Sequence, residues 1–230
     1  MIKYLVSCEH GGNQIPTTYK ADFMAHEEIL QSHRGWDKGA LLCALLISKR
    51  LNYPIYYNEV SRLLVECNRT LSHPDLFSFI SKEYSDAIKE TIINQYYLPY
   101  RNKLETFIKG NIEQGHQVVH LSIHSFTPIL NGETRKTEIG ILFDPARSVE
   151  TMFALKWQKR ILKKNDTWRV KLNYPYLGTD DGLTTYFREL FPENYAGLEL
   201  EINQKLFDCY PTHQVSNMVI PNFKFEVIFD

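Results

Sequence analysis

The 230-residue chain is informative first for what it lacks. Its four cysteines, Cys8, Cys43, Cys67 and Cys209, are scattered without metal-site spacing, so the thiols are expected to be buried or neutral rather than ligands. No apolar run approaches the ~20 residues needed to span a bilayer. The amino terminus shows no basic segment followed by an apolar one, which leaves a cytoplasmic protein with no membrane partner as the expectation. A net charge of -1 exerts no global pull toward nucleic acid. Repeats, low-complexity tracts and linkers are also missing, which predicts a single domain over residues 1–230.

What is present is ordinary for a soluble globular domain, with 43% apolar and 23% charged residues. The pattern along the chain alternates strands with helices. Lys3 to Ser7 is a short strand that stops at Cys8-Glu9-His10-Gly11-Gly12. Lys38 to Leu51 has helical spacing at Leu41, Leu42, Leu45 and Leu46, with Asp37 available as an N-cap. Pro54–Asn58 and Val60–Cys67 read as two neighbouring strands. Ser85 to Gly110 is helical in pattern, with Pro99 expected to kink or split it. Gln117 to Ile123 is the most buried-looking strand. Glu138–Phe143, Trp168–Leu172 and Gly197–Ile202 read as further strands, and Glu150–Lys164 and Leu183–Leu190 as helices. From Thr212 onward no periodic pattern stands out, and a helix mixed with an edge strand is one reading. This alternation predicts an α/β fold around a mixed, mostly parallel sheet flanked by helices.

Four strands end in, or carry, reactive groups: His10, Asn68-Arg69, His124 and Glu201. In a largely parallel sheet such ends converge at one edge, where α/β sites form. Two histidines and a carboxylate are a standard catalytic zinc set with a coordination position left for water. Zinc lowers the pKa of bound water to about 7, and a nearby carboxylate is then needed to move the proton. Arginine suits bidentate capture of a substrate carboxylate, and Arg62, Arg69 and Arg135 are available for it.

The motifs Cys8-Glu9-His10-Gly11-Gly12-Asn13, Ser61-Arg62-Leu63-Leu64-Val65-Glu66-Cys67-Asn68-Arg69, Ser122-Ile123-His124-Ser125-Phe126-Thr127-Pro128 and Glu199-Leu200-Glu201-Ile202-Asn203 resemble the N-formylglutamate amidohydrolase family in order and spacing. Gly178-Thr179-Asp180-Asp181-Gly182-Leu183-Thr184-Thr185 resembles a further block of one of its branches. The likeness runs from about Leu5 to Leu206. It implies a phosphorylase/hydrolase-like fold of the zinc-carboxypeptidase kind, related to aspartoacylase-like deacylases. It also implies a single amidohydrolase-like catalytic domain, one zinc ion and a small N-acyl amino acid such as N-formylglutamate as substrate. On this resemblance His10 and His124 match metal ligands, Glu201 the general base, and Asn68-Arg69 a pair that holds a substrate carboxylate, with Arg62 beside it. Arg135 either polarises the scissile carbonyl or grips the substrate.

The wider superfamily commonly writes its first ligands as His-x-x-Glu, and here the fourth position is Asn13. A neutral amide is a poor zinc ligand beside a carboxylate. The anionic ligand is therefore assigned to Asp37, whose Gly35-Trp36-Asp37-Lys38-Gly39-Ala40 block resembles the family's aspartate motif. An N-cap role for Asp37, or ligation by Glu9, remains open at this point. Three rival functions stand beside the amidohydrolase. One is a carboxypeptidase- or peptide-amidase-like enzyme for a larger substrate. The second is a thiol hydrolase using Cys8, and the third a non-catalytic metal-binding protein of the same fold. The sequence leaves the oligomeric state undetermined.

Overall fold

The computed structural model describes residues 1–221. Eight strands are present among them: β1 (Ile2–Cys8), β2 (Ile55–Tyr57), β3 (Gln117–Phe126), β4 (Ile129–Leu130), β5 (Glu133–Thr134), β6 (Ile139–Leu142), β7 (Val170–Leu172) and β8 (Tyr195–Asn203). β4 and β5 form a small antiparallel hairpin, and the rest make one sheet in the order β2-β1-β3-β8-β6-β7. β1 runs parallel to β2 and β3, β3 to β8, and β6 to β7, while β6 against β8 is antiparallel. The chain is thus a single α/β domain with a mixed, mostly parallel sheet flanked by helices.

The helices are α1 (Lys20–Phe23), α2 (Glu27–Gln31), α3 (Ala40–Leu51), α4 (Asp86–Ile92), α5 (Leu98–Glu113), α6 (Ser148–Lys164), α7 (Leu183–Leu190), α8 (Lys205–Cys209) and α9 (Thr212–Val219). Successive strand residues point to opposite faces, so each central strand sorts its side chains into two sets. Val6 and Cys8, then Val119, Leu121 and Ile123, then Ala196, Leu198, Leu200 and Ile202 form one aliphatic face. It packs on Cys43 and Ile47 of α3, Phe153 and Trp157 of α6, and Val215 and Val219 of α9. On the opposite face Leu5, Val118 and Tyr195 pack on Leu104 and Ile108 of α5 and Phe187 of α7. Toward the carboxyl ends of the strands that second face turns polar. In β3 and β8 register, Ser122 pairs with Glu199 and His124 with Glu201.

Two expectations change. Val60–Cys67 is no strand: apart from a bridge between Val60 and Gln14 the segment is a run of turns. Leu63, Leu64 and Val65 are all buried, so the apolar run reflects enclosure on every side rather than a sheet. Ser61 holds the turn by donating its hydroxyl to Gly35 O (2.9 Å) while accepting from Leu63 N–H (3.2 Å). Pro99 splits the long helix less sharply than expected. It stands at the start of α5, preceded by a π-helical turn at Ile93–Tyr97 in which Leu98 N–H reaches Ile93 O. That wider turn lets the helix continue past a residue that cannot donate. The helix expected after Thr212 is α9; the edge strand expected beyond it lies outside the described residues. Among the described residues no helix is long and apolar enough to cross a membrane.

Candidate functional site

β1 ends at Cys8, and the following turn is tied down by Gly11 N–H to Asn58 O (2.9 Å) and by Asn58 Nδ2 to Glu9 O (3.1 Å). A side chain at Gly11 would meet Asn58 O at 2.9 Å, so the close approach that fixes the turn requires glycine. The same turn receives Asp37, whose N–H donates to His10 O (2.9 Å). Gly39 then adopts a left-handed φ of +81° at the cap position of α3, and a Cβ there would strike the Phe207 ring at 2.6 Å. This kink starts the helix at Ala40 and leaves the Asp37 side chain free of it. Asp37 makes no side-chain cap, which closes the N-cap alternative.

Instead Asp37 Oδ2 lies 2.9 Å from His124 Nδ1 and 3.4 Å from His10 Nδ1. One ligand atom from each of His10, Asp37 and His124 falls within 4.8 Å of the others, and all three residues are buried. Two imidazoles and a carboxylate converging at that spacing match the nitrogen and oxygen donors of a three-residue zinc set. Asn13 is elsewhere, donating to Leu30 O (3.2 Å) and Gln31 Oε1 (3.0 Å) at the end of α2. Glu9 does not join the three either; it stands behind His124, with Oε2 2.9 Å from Nε2.

The cluster floors a cleft of about 170 Å³ lined also by His33, Arg62, Asn68, Arg69, Tyr176, Glu199 and Glu201. Glu201 is buried, and its Oε2 has no hydrogen-bond partner. Burial is the main reason its carboxyl is pushed up to about 8, aided by the charges of Asp37 and Glu199 and opposed by His124. Glu199, on the same face two residues earlier, is committed to Thr184 Oγ1 (2.6 Å) at the start of α7. Asp37 shows the opposite balance. Burial would raise it, but the charges and hydrogen bonds of His10 and His124 hold it well below the usual carboxylate range. His124 is correspondingly raised well above its ordinary value by Asp37 and Glu9, against the burial that would lower it.

The arginines differ in how they are engaged. Arg62 pairs with Glu66 Oε2 (2.5 Å) and approaches Asp37 Oδ1 (3.6 Å). Arg69 donates to the backbone carbonyl of Asp181, and its own carbonyl is held by Tyr97 OH (2.7 Å) and Arg101 (3.1 Å). Asn68 Oδ1 accepts from Leu183 N–H (2.7 Å), capping α7 and binding the Asn68-Arg69 turn to that helix. Arg135 lies against the rings of Phe126 (5.7 Å) and Tyr176 (5.5 Å), both cleft residues, and its buried Nη1 is unpartnered. Cys8 points into the aliphatic core, and burial, with the charges of Glu9 and Asp37, pushes its thiol well above the usual range. A nucleophilic cysteine needs the thiolate, so the thiol mechanism loses its main requirement.

One carboxylate escaped the reading of residue types: Glu66, 2.5 Å from His10 Nε2. Glu66 sits inside the Ser61–Arg69 motif, but its partner lies 56 positions away. Spacing alone gives no sign of that contact.

A sequence model of the N-formylglutamate amidohydrolase family matches residues 2–207. No protein of curated function matches the chain significantly. Among solved structures, a gene product of Agrobacterium tumefaciens is 26% identical, with a TM-score of 0.81 over 95% of this chain and 88% of that one. An N-formylglutamate amidohydrolase from Ralstonia eutropha JMP134 is 16% identical, with a TM-score of 0.66 over 94% of this chain and 89% of that one, a likeness of fold.

Proposed function

The chain belongs to the N-formylglutamate amidohydrolase family, and from that premise we propose that it is a zinc-dependent hydrolase of the amide bond in small N-acyl amino acids, N-formylglutamate being the first to test. The observation that carries this reading is the buried meeting of His10, Asp37 and His124 in a cleft that also holds the unpartnered carboxyl of Glu201. His10, Asp37 and His124 would hold the ion. The chemistry supplied there is Lewis acidity, which brings the pKa of a water to about 7 and polarises the amide carbonyl.

The rest falls to this chain's own side chains. Hydrolysis forms a C–O bond from water, breaks the amide C–N bond and needs a proton delivered to the leaving nitrogen. Glu201 carries that proton, its buried and unpartnered carboxyl being free to take one from water and return it to the leaving nitrogen. Arg69, with Arg62 and Asn68 beside it, anchors the substrate carboxylate. Arg135 does not line the cleft itself; from behind Phe126 and Tyr176, with an unsatisfied Nη1, it would support the substrate end of the cleft. The cleft volume lies below the roughly 300–1,000 Å³ of drug-sized pockets, which favours the small substrate over the peptide. The whole chain then works as one catalytic domain.

The experiment is formate release from N-formylglutamate by zinc-loaded protein, by chelated protein, and by Glu201→Gln. Turnover should vanish on chelation and return with zinc. The variant should keep its zinc and lose roughly 10²–10⁴-fold in kcat. Absence of turnover by the zinc-loaded protein on this and other N-acyl amino acids overturns the reading.

A further inference from the structure

Each histidine of the cluster has a second carboxylate at its far side. His10 presents Nδ1 to Asp37 and Nε2 to Glu66 Oε1 at 2.5 Å. His124 repeats the arrangement, with Nδ1 toward the same Asp37 oxygen and Nε2 2.9 Å from Glu9 Oε2. We propose that Glu9 and Glu66 are positioning residues that fix both imidazoles with the proton on Nε2, so that two Nδ1 lone pairs and Asp37 form the ligand set. The inference rests on reading His10, Asp37 and His124 as a zinc site, and concerns how that site is built.

A neutral imidazole has one N–H and one lone pair, and the partner of one nitrogen decides what the other can do. Both nitrogens of each ring face a carboxylate, Asp37 on the Nδ1 side and Glu9 or Glu66 on the Nε2 side. An ion held with Asp37 would take the Nδ1 side, which leaves the hydrogen on Nε2 facing an outer carboxylate that only accepts. The lone pair then falls on Nδ1, where the two rings and Asp37 converge. Such outer carboxylates also raise the basicity of the ligand and lock the ring orientation.

Glu9 shows how much structure serves this contact. It has no solvent exposure, and a buried carboxylate is tolerated only when its oxygens are satisfied. Tyr100 OH donates to Oε1 (2.7 Å), and Ser122 Oγ and His124 Nε2 both reach Oε2. Ser122 Oγ lies 2.9 Å from the same ring nitrogen, closing the set from the strand that carries His124. Tyr100 comes from the first turns of α5, just after the π-helical turn, and its neighbours Tyr97 and Arg101 hold the Arg69 carbonyl. The irregular helix start therefore braces both the histidine support and the turn that carries the cleft arginine. Glu66 is tied additionally to Arg62 and to Asn68 N–H (2.9 Å), so replacing it would also disturb the cleft. Glu9 is the cleaner position to test.

Zinc affinity by chelator competition is compared for the whole protein and for Glu9→Gln, whose amide oxygen still accepts from Nε2–H without the charge. The variant should bind zinc roughly 10–100-fold more weakly while remaining folded in the metal-free state. Tyr100→Phe should weaken binding in the same direction by less. Nitrogen-15 correlation spectra of the zinc-loaded protein should show His124 protonated at Nε2 and unprotonated at Nδ1, the tautomer that this ligand set requires. Undiminished affinity in Glu9→Gln, or a proton on His124 Nδ1, overturns the inference while leaving the metal site intact. Failure of the unsubstituted protein to take up zinc instead removes the site itself and the inference with it. If Glu9→Gln does not fold, the tautomer spectrum and Tyr100→Phe decide.

Discussion

The two faces of β1, β3 and β8 are made by the same strands yet obey different rules. On one face Val6, Val119, Leu121, Ile123, Leu198 and Leu200 meet helices through hydrocarbon alone. On the other, Ser7, Glu9, His120, Ser122, His124, Glu199 and Glu201 are as thoroughly enclosed. The aliphatic face is held by non-directional burial, about 1.5–3 kcal/mol for each large side chain, and tolerates exchange of one shape for another of equal volume. The polar face is held by directed hydrogen bonds among charges, each of which is costly once its partner is removed. Apolar burial fills the whole of the first face and the amino-terminal half of the second, and chemistry is concentrated where the second turns polar. The difference teaches that burial by itself does not distinguish core from site; the type of contact does.

The sharpest break between the faces is expected at Asp37, which closes the polar face from the α3 side. Asp37→Ala removes the only carboxylate of the proposed ligand set, so zinc content after gel filtration should fall to background, a larger loss than the roughly 10–100-fold of an outer carboxylate. Stoichiometric zinc in this variant would remove Asp37 from the site. Leu198→Ala probes the other face at a fully buried position in the strand that carries Glu201. It should cost about 2–5 kcal/mol in chemical denaturation while the folded protein keeps its zinc and its kcat. Loss of zinc from folded Leu198→Ala would mean that the faces are not separable.

How far the sequence foretold this division varies by residue. The central strands were legible because β1, β3 and β8 are apolar, bounded by turns, and end in polar groups. That layout also singled out His10, His124 and Glu201, which the structure brings to one cleft. Asp37 was legible only through its motif, since an aspartate ahead of an amphipathic helix looks the same as an N-cap. Gly39 makes the difference, and its left-handed φ is not readable from residue type. Val60–Cys67 misled because three consecutive buried apolar residues fit an enclosed turn as well as a strand. Glu9 was weighed as a ligand and discounted by strand alternation. That argument does not reach past Cys8: His10 lies in the turn beyond the strand, where the backbone rather than the pleat sets direction.

The smallest effect is expected deepest on the polar face, at His120, and it tests whether that face stays neutral where it leaves the cleft. His120 is fully buried between Tyr195 OH (2.8 Å from Nδ1) and Ser7 Oγ (2.7 Å from Nε2). Its pKa is pushed down to about 4, chiefly by burial, with Glu9 opposing and Arg188 and His124 assisting. The folded value thus lies below the ordinary 6.5 of the unfolded chain. Between the two the unfolded chain binds a proton that the folded one does not, so the His120 contribution is full above pH 6.5 and declines as pH falls toward 4. The slope is at most about 1.4 kcal/mol per pH unit. Because Glu9, Asp37 and Glu66 also lose their native hydrogen bonding in acid, the contribution must be read as a difference. Urea unfolding of the metal-free protein and of His120→Gln, repeated from pH 7 to pH 4, should show the gap between them narrowing through that window. A gap that stays constant would mean that folding leaves the His120 pKa unshifted, and a gap that widens on acidification that His120 already carries a proton in the folded state. Charge would then extend down the whole polar face instead of ending at His124.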